Sequence, residues 1–318
     1  ITASMQGCGA YQALAEQHKL ATCDKALFPG WVDEFLSIYD TYAFKVENPH
    51  IAIVDFLENA ITEEFKIFSK LFAERGIECS VYDVRDLAYE DGRLIGRKAF
   101  YGRDNAPIDA IWRRSVTNDI IDNWEASQPL IEAVRARKVA LIDSFAGHLV
   151  HDKQIFQVLF KPETKALLTD EENAFVEATV PFTAFLNDDE VDLDAVKRDR
   201  EGWIIKPVDA YGSKDVYAGL DFSDEEWAQI IDRYANGAAG APFIVQHYCT
   251  PHRTMALPLR GEEGDYTAEP QPYTNLSGLY LYNGRFTGVF SRLGPEPVIS
   301  KKTGGITAAT IWVDAVVE

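Results

Sequence analysis

Trp203-Ile204-Ile205-Lys206-Pro207, then Asp209-Ala210-Tyr211-Gly212-Ser213-Lys214-Asp215, then Val216-Tyr217-Ala218-Gly219 reads as strand, flexible loop, strand. A lysine at the end of an apolar strand is unusual, because an ammonium taken out of water without a partner costs several kcal/mol. A phosphate is the natural partner. Gly212 and Ser213 let backbone N–H groups come close to phosphate oxygens, and Lys214 adds a point charge. The competing reading is a surface hairpin whose lysine snorkels to solvent.

Outward from this stretch, helices are expected near 153–160, 170–178 and 224–236, alternating with strands at 203–206, 216–219 and 243–247. Two more strands, 279–283 and 286–291, are joined by Asn283-Gly284, a type I′ hairpin signal. Residues 148–318 therefore read as an antiparallel α+β module. Residues 49–147 differ in texture. Ile51-Ala52-Ile53-Val54-Asp55-Phe56 is a buried-strand run, followed by a helix from Thr62 whose apolar face carries Phe65, Phe68, Leu71 and Phe72 and which Gly76 closes. Cys79-Ser80-Val81-Tyr82 completes a βαβ unit, which implies a parallel sheet. Ala110-Ile111-Trp112 and Val139-Ala140-Leu141-Ile142 add strands, with a helix near 125–137, so the expectation is a doubly wound α/β domain. Residues 1–48 read as helical, broken in two at Pro29-Gly30, with Phe35, Ile38, Tyr39 and Tyr42 on one face; they are expected to pack on the later module.

Several function classes fall away. Leu57-Glu58-Asn59 follows the first strand, so GxGxxG is absent there, and no Walker A sequence occurs, which disfavours a Rossmann dehydrogenase and a P-loop enzyme. A formal charge of -19 repels nucleic acid. No apolar run approaches the ~20 residues of a membrane span. Cys8, Cys23, Cys79 and Cys249 lie far apart without a CxxC pair, as expected of free thiols in a reducing, cytoplasmic setting. The chain opens at Ile1 rather than Met, which leaves room for residues upstream.

The order His151-Asp152-Lys153, Thr179-Val180-Pro181-Phe182-Thr183, Ile205-Lys206-Pro207 with its glycine loop, Ile244-Val245-Gln246 and Ser291-Arg292 resembles ATP-grasp enzymes. It is most similar to the glutathionylspermidine synthase-like branch, whose ATP-grasp module is circularly permuted; Gly304-Gly305 and Ile311-Trp312-Val313 resemble that branch's closing segment. The likeness covers roughly residues 50–318 and implies a pre-ATP-grasp domain at 49–147 and an ATP-grasp module at 148–318. It further implies ATP and Mg²⁺ as cofactors, and an ATP-dependent carboxylate–amine ligase working through an acyl phosphate. Its substrates would be a small-molecule carboxylate and an amine or peptide-like acceptor.

Carried over by position, Lys153 and Lys206 would contact the nucleotide phosphates, and Gly212, Ser213 and Lys214 would lie in the loop closing over them. Residues 243–248, with Gln246 and Tyr248, would line the adenine pocket, and Arg292 would stabilise the phosphoryl group in flight. Such a mechanism needs positioning and charge neutralisation more than covalent protein chemistry. Asp215 stands where the family usually has glycine. The family's metal site, an acidic residue followed by a Glu-x-Asn pair, is not recognised, so the metal ligands stay unassigned; Asn275 is a substitute candidate, with a turn asparagine as the alternative.

Arg113-Arg114-Ser115 ends a strand at the carboxyl edge of the α/β sheet, making it a candidate for holding the substrate carboxylate, with an ion pair as the alternative. His148 and His151 are general-base candidates or structural histidines, and the acidic run Asp188-Asp189-Glu190 through Asp194 reads as a solvated loop and helix start. Two other functions compete: a degenerate ATP-grasp protein that binds nucleotide without catalysis, and an unrelated α/β binding module.

Overall fold

In the computed structural model, His50–Asp55 is the middle strand of a five-stranded sheet ordered Ala99–Tyr101, Glu78–Asp83, His50–Asp55, Ala110–Arg113, Ala140–Ile142. The last four are parallel, and Ala99–Tyr101 is an antiparallel edge. The structure describes residues 17, 21–22, 27–256, 269–299, 304–308 and 310–312. Cys8, Cys23 and Val313 lie outside them.

Side chains of a strand alternate between faces. Ile51 and Ile53 enter one core with helices Leu27–Tyr39 and Thr62–Ala73; Ala52 and Val54 enter another with helix Trp124–Arg135. Both faces are covered, which is why the strand reads as a continuous apolar run. Helix Thr62–Ala73 ends as its glycine demands: Gly76 takes φ +74°, and the N–H groups of Gly76 and Ile77 bond to the carbonyls of Ala73 and Phe72.

The N-terminal expectation needs correction. Pro29 and Gly30, expected to separate two helices, both lie inside the helix Leu27–Tyr39. Pro29 sits in its first turn, where a missing N–H breaks no helical bond. Val32 and Phe35 are wholly buried, and the Phe35 ring meets Phe72 edge-on at 5.3 Å, so this helix packs against the parallel sheet's own layer. Truncating Phe35 to alanine would cost about 3–5 kcal/mol.

The chain divides into two compact units, 1–145 with 277–291 and 307–318, and 146–276 with 292–306. The tip of the hairpin Gln271–Tyr282/Arg285–Gly294 belongs to the first unit. There the Tyr282 hydroxyl donates to the Leu27 carbonyl at 2.8 Å and Arg285 reaches Glu34 at 3.1 Å. Asn283 and Gly284 have φ of 49° and 75°, the two positive angles of a type I′ turn. Strand Ile311–Trp312 pairs antiparallel with Ala21–Thr22, also in the first unit.

The second unit is built on a four-stranded antiparallel sheet ordered Thr183–Phe185, Phe243–His247, Trp203–Pro207, Tyr217–Ala218. Helices Leu193–Arg198 and Asp224–Tyr234 cover one face, burying Val196, Trp227 and Ile231 against Ala184, Ile205 and Val245. Helix Asp224–Tyr234 opens with a capping box in which Ser223 and Glu226 satisfy each other's N–H groups. The strand–loop–strand reading of 203–219 is what the structure contains. Among the described residues no helix is long and apolar enough to cross a membrane.

Candidate functional site

Ile205 points into the helix-covered core, so Ile204 and Lys206 point to the opposite face of the sheet. On the neighbouring strand, Gln246 stands opposite Ile204 and, on its other side, opposite Thr183. Gln246 is therefore a diagonal cross-strand neighbour of Lys206, within reach of a long side chain. Lys206 Nζ donates to Gln246 Oε1 at 2.8 Å, Gln246 Nε2 donates to Thr183 Oγ1 at 2.8 Å, and the Thr183 hydroxyl donates to the Pro181 carbonyl at 2.9 Å. The relay holds Gln246 with its oxygen toward the ammonium. Lys206 thus has a neutral acceptor and, among the described residues, no ion pair.

Lys153 comes to the same place from a different element. Its peptide N–H donates to the Val208 carbonyl at 2.9 Å and its Nζ to the Ala210 carbonyl at 2.7 Å, which ties the segment to the loop leaving strand Trp203–Pro207. Burial holds the Lys206 pKa below that of an ordinary lysine, and the charge on Lys153 lowers it further. Burial also lowers the Lys153 pKa, opposed by Asp209 and Asp152. Two ammonium groups from distant parts of the sequence therefore lie in each other's field, which costs free energy unless an anion joins them.

Lys206 and Gln246 line a cavity of about 270 Å³ with Pro181, Ile204, Tyr248 and Cys249. A mostly apolar cleft with a few convergent polar groups is the usual form of a small-molecule site. Burial pushes the Tyr248 hydroxyl pKa up, with the Asp221 charge adding to it, and the Tyr248 peptide N–H is fixed to the Gly202 carbonyl at 2.8 Å. Beside it, Cys249 is an exposed free thiol; Cys79, in contrast, is buried, which pushes its pKa to about 12.

The loop from 209 to 215 turns through left-handed backbone: Gly212, Ser213 and Asp215 have φ of 68°, 59° and 52°. Residues 211–214, Lys214 among them, are exposed. Asp215 occupies a conformation that glycine adopts without strain, and the Tyr217 hydroxyl donates to its carboxylate at 3.3 Å.

Other candidates stand differently. Arg113 is buried, and its guanidinium donates to the carbonyls of Asp143 at 2.9 Å, Ser144 at 3.4 Å and Ser115, while lying over the Phe145 ring. Its fork is occupied by backbone 30 residues away in sequence, and a substrate carboxylate would have to displace those carbonyls. Arg114 lies over the Trp112 and Phe65 rings and reaches Glu64 at 3.4 Å, the ion pair that was its alternative. Ser115 is buried with its hydroxyl unbonded. Arg292 is half-buried on strand Arg285–Gly294 and makes no ion pair among the described residues. It does not line the cavity, although Pro297 and Ile299 just beyond it do. Asn275 is a strand residue that donates to Thr254 Oγ1 at 3.2 Å, not a turn asparagine.

The acidic run is only partly a solvated face. Glu190 accepts from Lys161 at 2.7 Å, from Gln157 at 2.9 Å and from the Phe185 N–H, and these bonds outweigh burial to hold its pKa low. At the carboxyl edge of the parallel sheet, burial raises Asp55 to about 6 against the pull of the Phe56 N–H and Arg114.

A constellation that no local signal announces lies beside Lys153. His148 Nε2 is 3.3 Å from Asp209 Oδ2, His151 Nε2 is 3.7 Å from Asp209 Oδ1, and the two imidazoles stack at 5.2 Å. The His-x-x-His spacing is its one trace in the sequence; Asp209 joins only through the fold.

No family model matches the chain, and no curated protein matches it. Among solved structures, one similar chain is a glutathione synthetase-like effector from Globodera pallida in its apo form, 10% identical with a TM-score of 0.49. The match covers 89% of this chain and 56% of that one, so the chain spans little more than half the length of the protein it matches.

Proposed function

We propose that the cleft of the second unit binds ATP and that the protein is an ATP-dependent carboxylate–amine ligase of ATP-grasp type. The observation that carries this reading is the pair of ammonium groups: Lys206, half-buried with only a neutral acceptor, stands in the field of Lys153. A polyphosphate between them would relieve their repulsion and make charge-assisted bonds with both. The apolar walls at Pro181 and Ile204 would take the base, and exposed Gly212, Ser213 and Lys214 would close over the phosphates.

In the proposed reaction a substrate carboxylate oxygen attacks the γ-phosphorus and ADP leaves. An amine then attacks the acyl carbon, loses a proton, and inorganic phosphate departs. Lys153 and Lys206 would hold the phosphates, and Arg292 would neutralise charge on the transferring group. Mg²⁺, when bound, would share the triphosphate charge. The substrates would be a small carboxylic acid and an amine or a peptide-like acceptor.

Calorimetric titration with ATP, with and without Mg²⁺, tests this. Saturable binding by one nucleotide per chain is expected, stronger with Mg²⁺. No heat at millimolar ATP would remove the proposal, and binding without ADP release across carboxylate–amine pairs would reduce it to a nucleotide-binding protein.

A further inference from the structure

We propose that His148, His151 and Asp209 form a binding site for a divalent transition-metal ion of the zinc class. The inference goes beyond the nucleotide reading and does not rest on it. His148 and His151 lie on one helical turn, His148–His151, so their side chains leave the same face, and their rings stack at 5.2 Å. Both turn Nε2 toward one carboxylate, and one ligand atom from each of the three residues lies within 4.8 Å of the others.

The spacing is more informative than the count. At 3.3 and 3.7 Å the nitrogen–oxygen distances are long for hydrogen bonds from imidazole to carboxylate. Ligand atoms placed tetrahedrally about 2.0–2.1 Å from a zinc-class ion stand about 3.3–3.4 Å apart. Those two spans, from each imidazole to one oxygen of the same carboxylate, are close to the edge lengths of a coordination tetrahedron.

Ligand type selects the ion. Two neutral imidazoles and one carboxylate favour zinc, cobalt or ferrous iron over Mg²⁺, which prefers oxygen. His148, His151 and Asp209 are part-exposed, at 27%, 38% and 32% of their side-chain surface, so an ion has a way in and keeps an open position for water or an anion. Asp209 also acts on Lys153 through its charge. Lys153 is the group that opposes the ion; Asp209 and Asp152 are the carboxylates acting on it.

The test uses the whole chain without nucleotide. Metal-free protein is titrated with Zn²⁺ against a chromophoric chelator, and with Co²⁺ while visible absorption is read. One Zn²⁺ per chain, unaffected by millimolar Mg²⁺, and a Co²⁺ spectrum of low coordination number are expected. His151→Ala should weaken Zn²⁺ binding by more than about a hundredfold, beyond the ten- to hundredfold lost with a residue that only orients a ligand. Asp209→Asn, nearly isosteric, should do the same with unchanged circular dichroism and decides the matter if His151→Ala fails to fold. His252→Ala should bind as the parent does. No stoichiometric uptake, equal uptake by His151→Ala or by folded Asp209→Asn, or displacement by Mg²⁺ would overturn the proposal.

Discussion

Lys206→Met removes one charge and keeps the apolar stem, so it separates phosphate contact from packing. In the proposed complex Lys206 Nζ would make a charge-assisted contact worth about 1.5–3 kcal/mol, which is a loss of about ten- to a hundredfold in ATP affinity. The same substitution should barely change the stability of the free protein. It gives up the 2.8 Å bond to Gln246, worth about 1 kcal/mol, and also removes an ammonium that burial and Lys153 both disfavour. The two terms oppose each other, so the unfolding midpoint should move little. Calorimetry with ATP and urea unfolding on the same samples read the two quantities, with Lys98→Met, an exposed lysine of the other unit, as control. A folded Lys206→Met protein that binds ATP within about threefold of the parent, well inside the expected range, would refute the reasoning.

Arg292→Ala should lower turnover far more than ATP affinity, because a group acting on the transferring phosphoryl matters in the transition state; equal losses in both would make it a ground-state contact. Asp55→Asn addresses the parallel sheet. A carboxyl raised to about 6 binds its proton more readily folded than unfolded, so its contribution to stability falls as pH rises from about 4 to 6 and is then about 3 kcal/mol lower. The variant, which keeps an acceptor for the Phe56 N–H, should lose that decline and be the more stable protein at pH 7.5, whereas parallel stability–pH curves would deny the shift. Cys249 should be alkylated quickly and be protected by ATP, as it lines the cleft, while Cys79 should stay unreactive while the protein is folded; peptide mass mapping reads both.

The parts legible in the sequence are those where local chemistry decides. Ile51 to Phe56 could only be a strand covered on both faces, and Asn283-Gly284 places two positive φ angles where a hairpin needs them. Alternation along Trp203–Pro207 puts Lys206 on the face opposite the core without knowledge of the fold. What stayed hidden depends on partners far away in sequence. Arg113 looks free until the carbonyls of Asp143 and Ser144 are brought to it. Glu190 looks solvated until Lys161 and Gln157 reach it from the preceding helical region. Asp209 has no mark of its own, and its meeting with His148 and His151 is a product of the docking of Lys153 on the loop after Val208. Pro29 misled for a different reason: proline ends a helix from its interior and starts one from its first turn, and position decides which.

Hydrogen exchange read peptide by peptide, with and without ATP and Mg²⁺, tests most directly whether the two lysines serve one nucleotide. Slowed exchange should appear together in the strand and loop from 203 to 215, which carry Lys206, in 244–248 and around Lys153. Protection absent from all three, or confined to segments that carry neither Lys153 nor Lys206, would contradict the account.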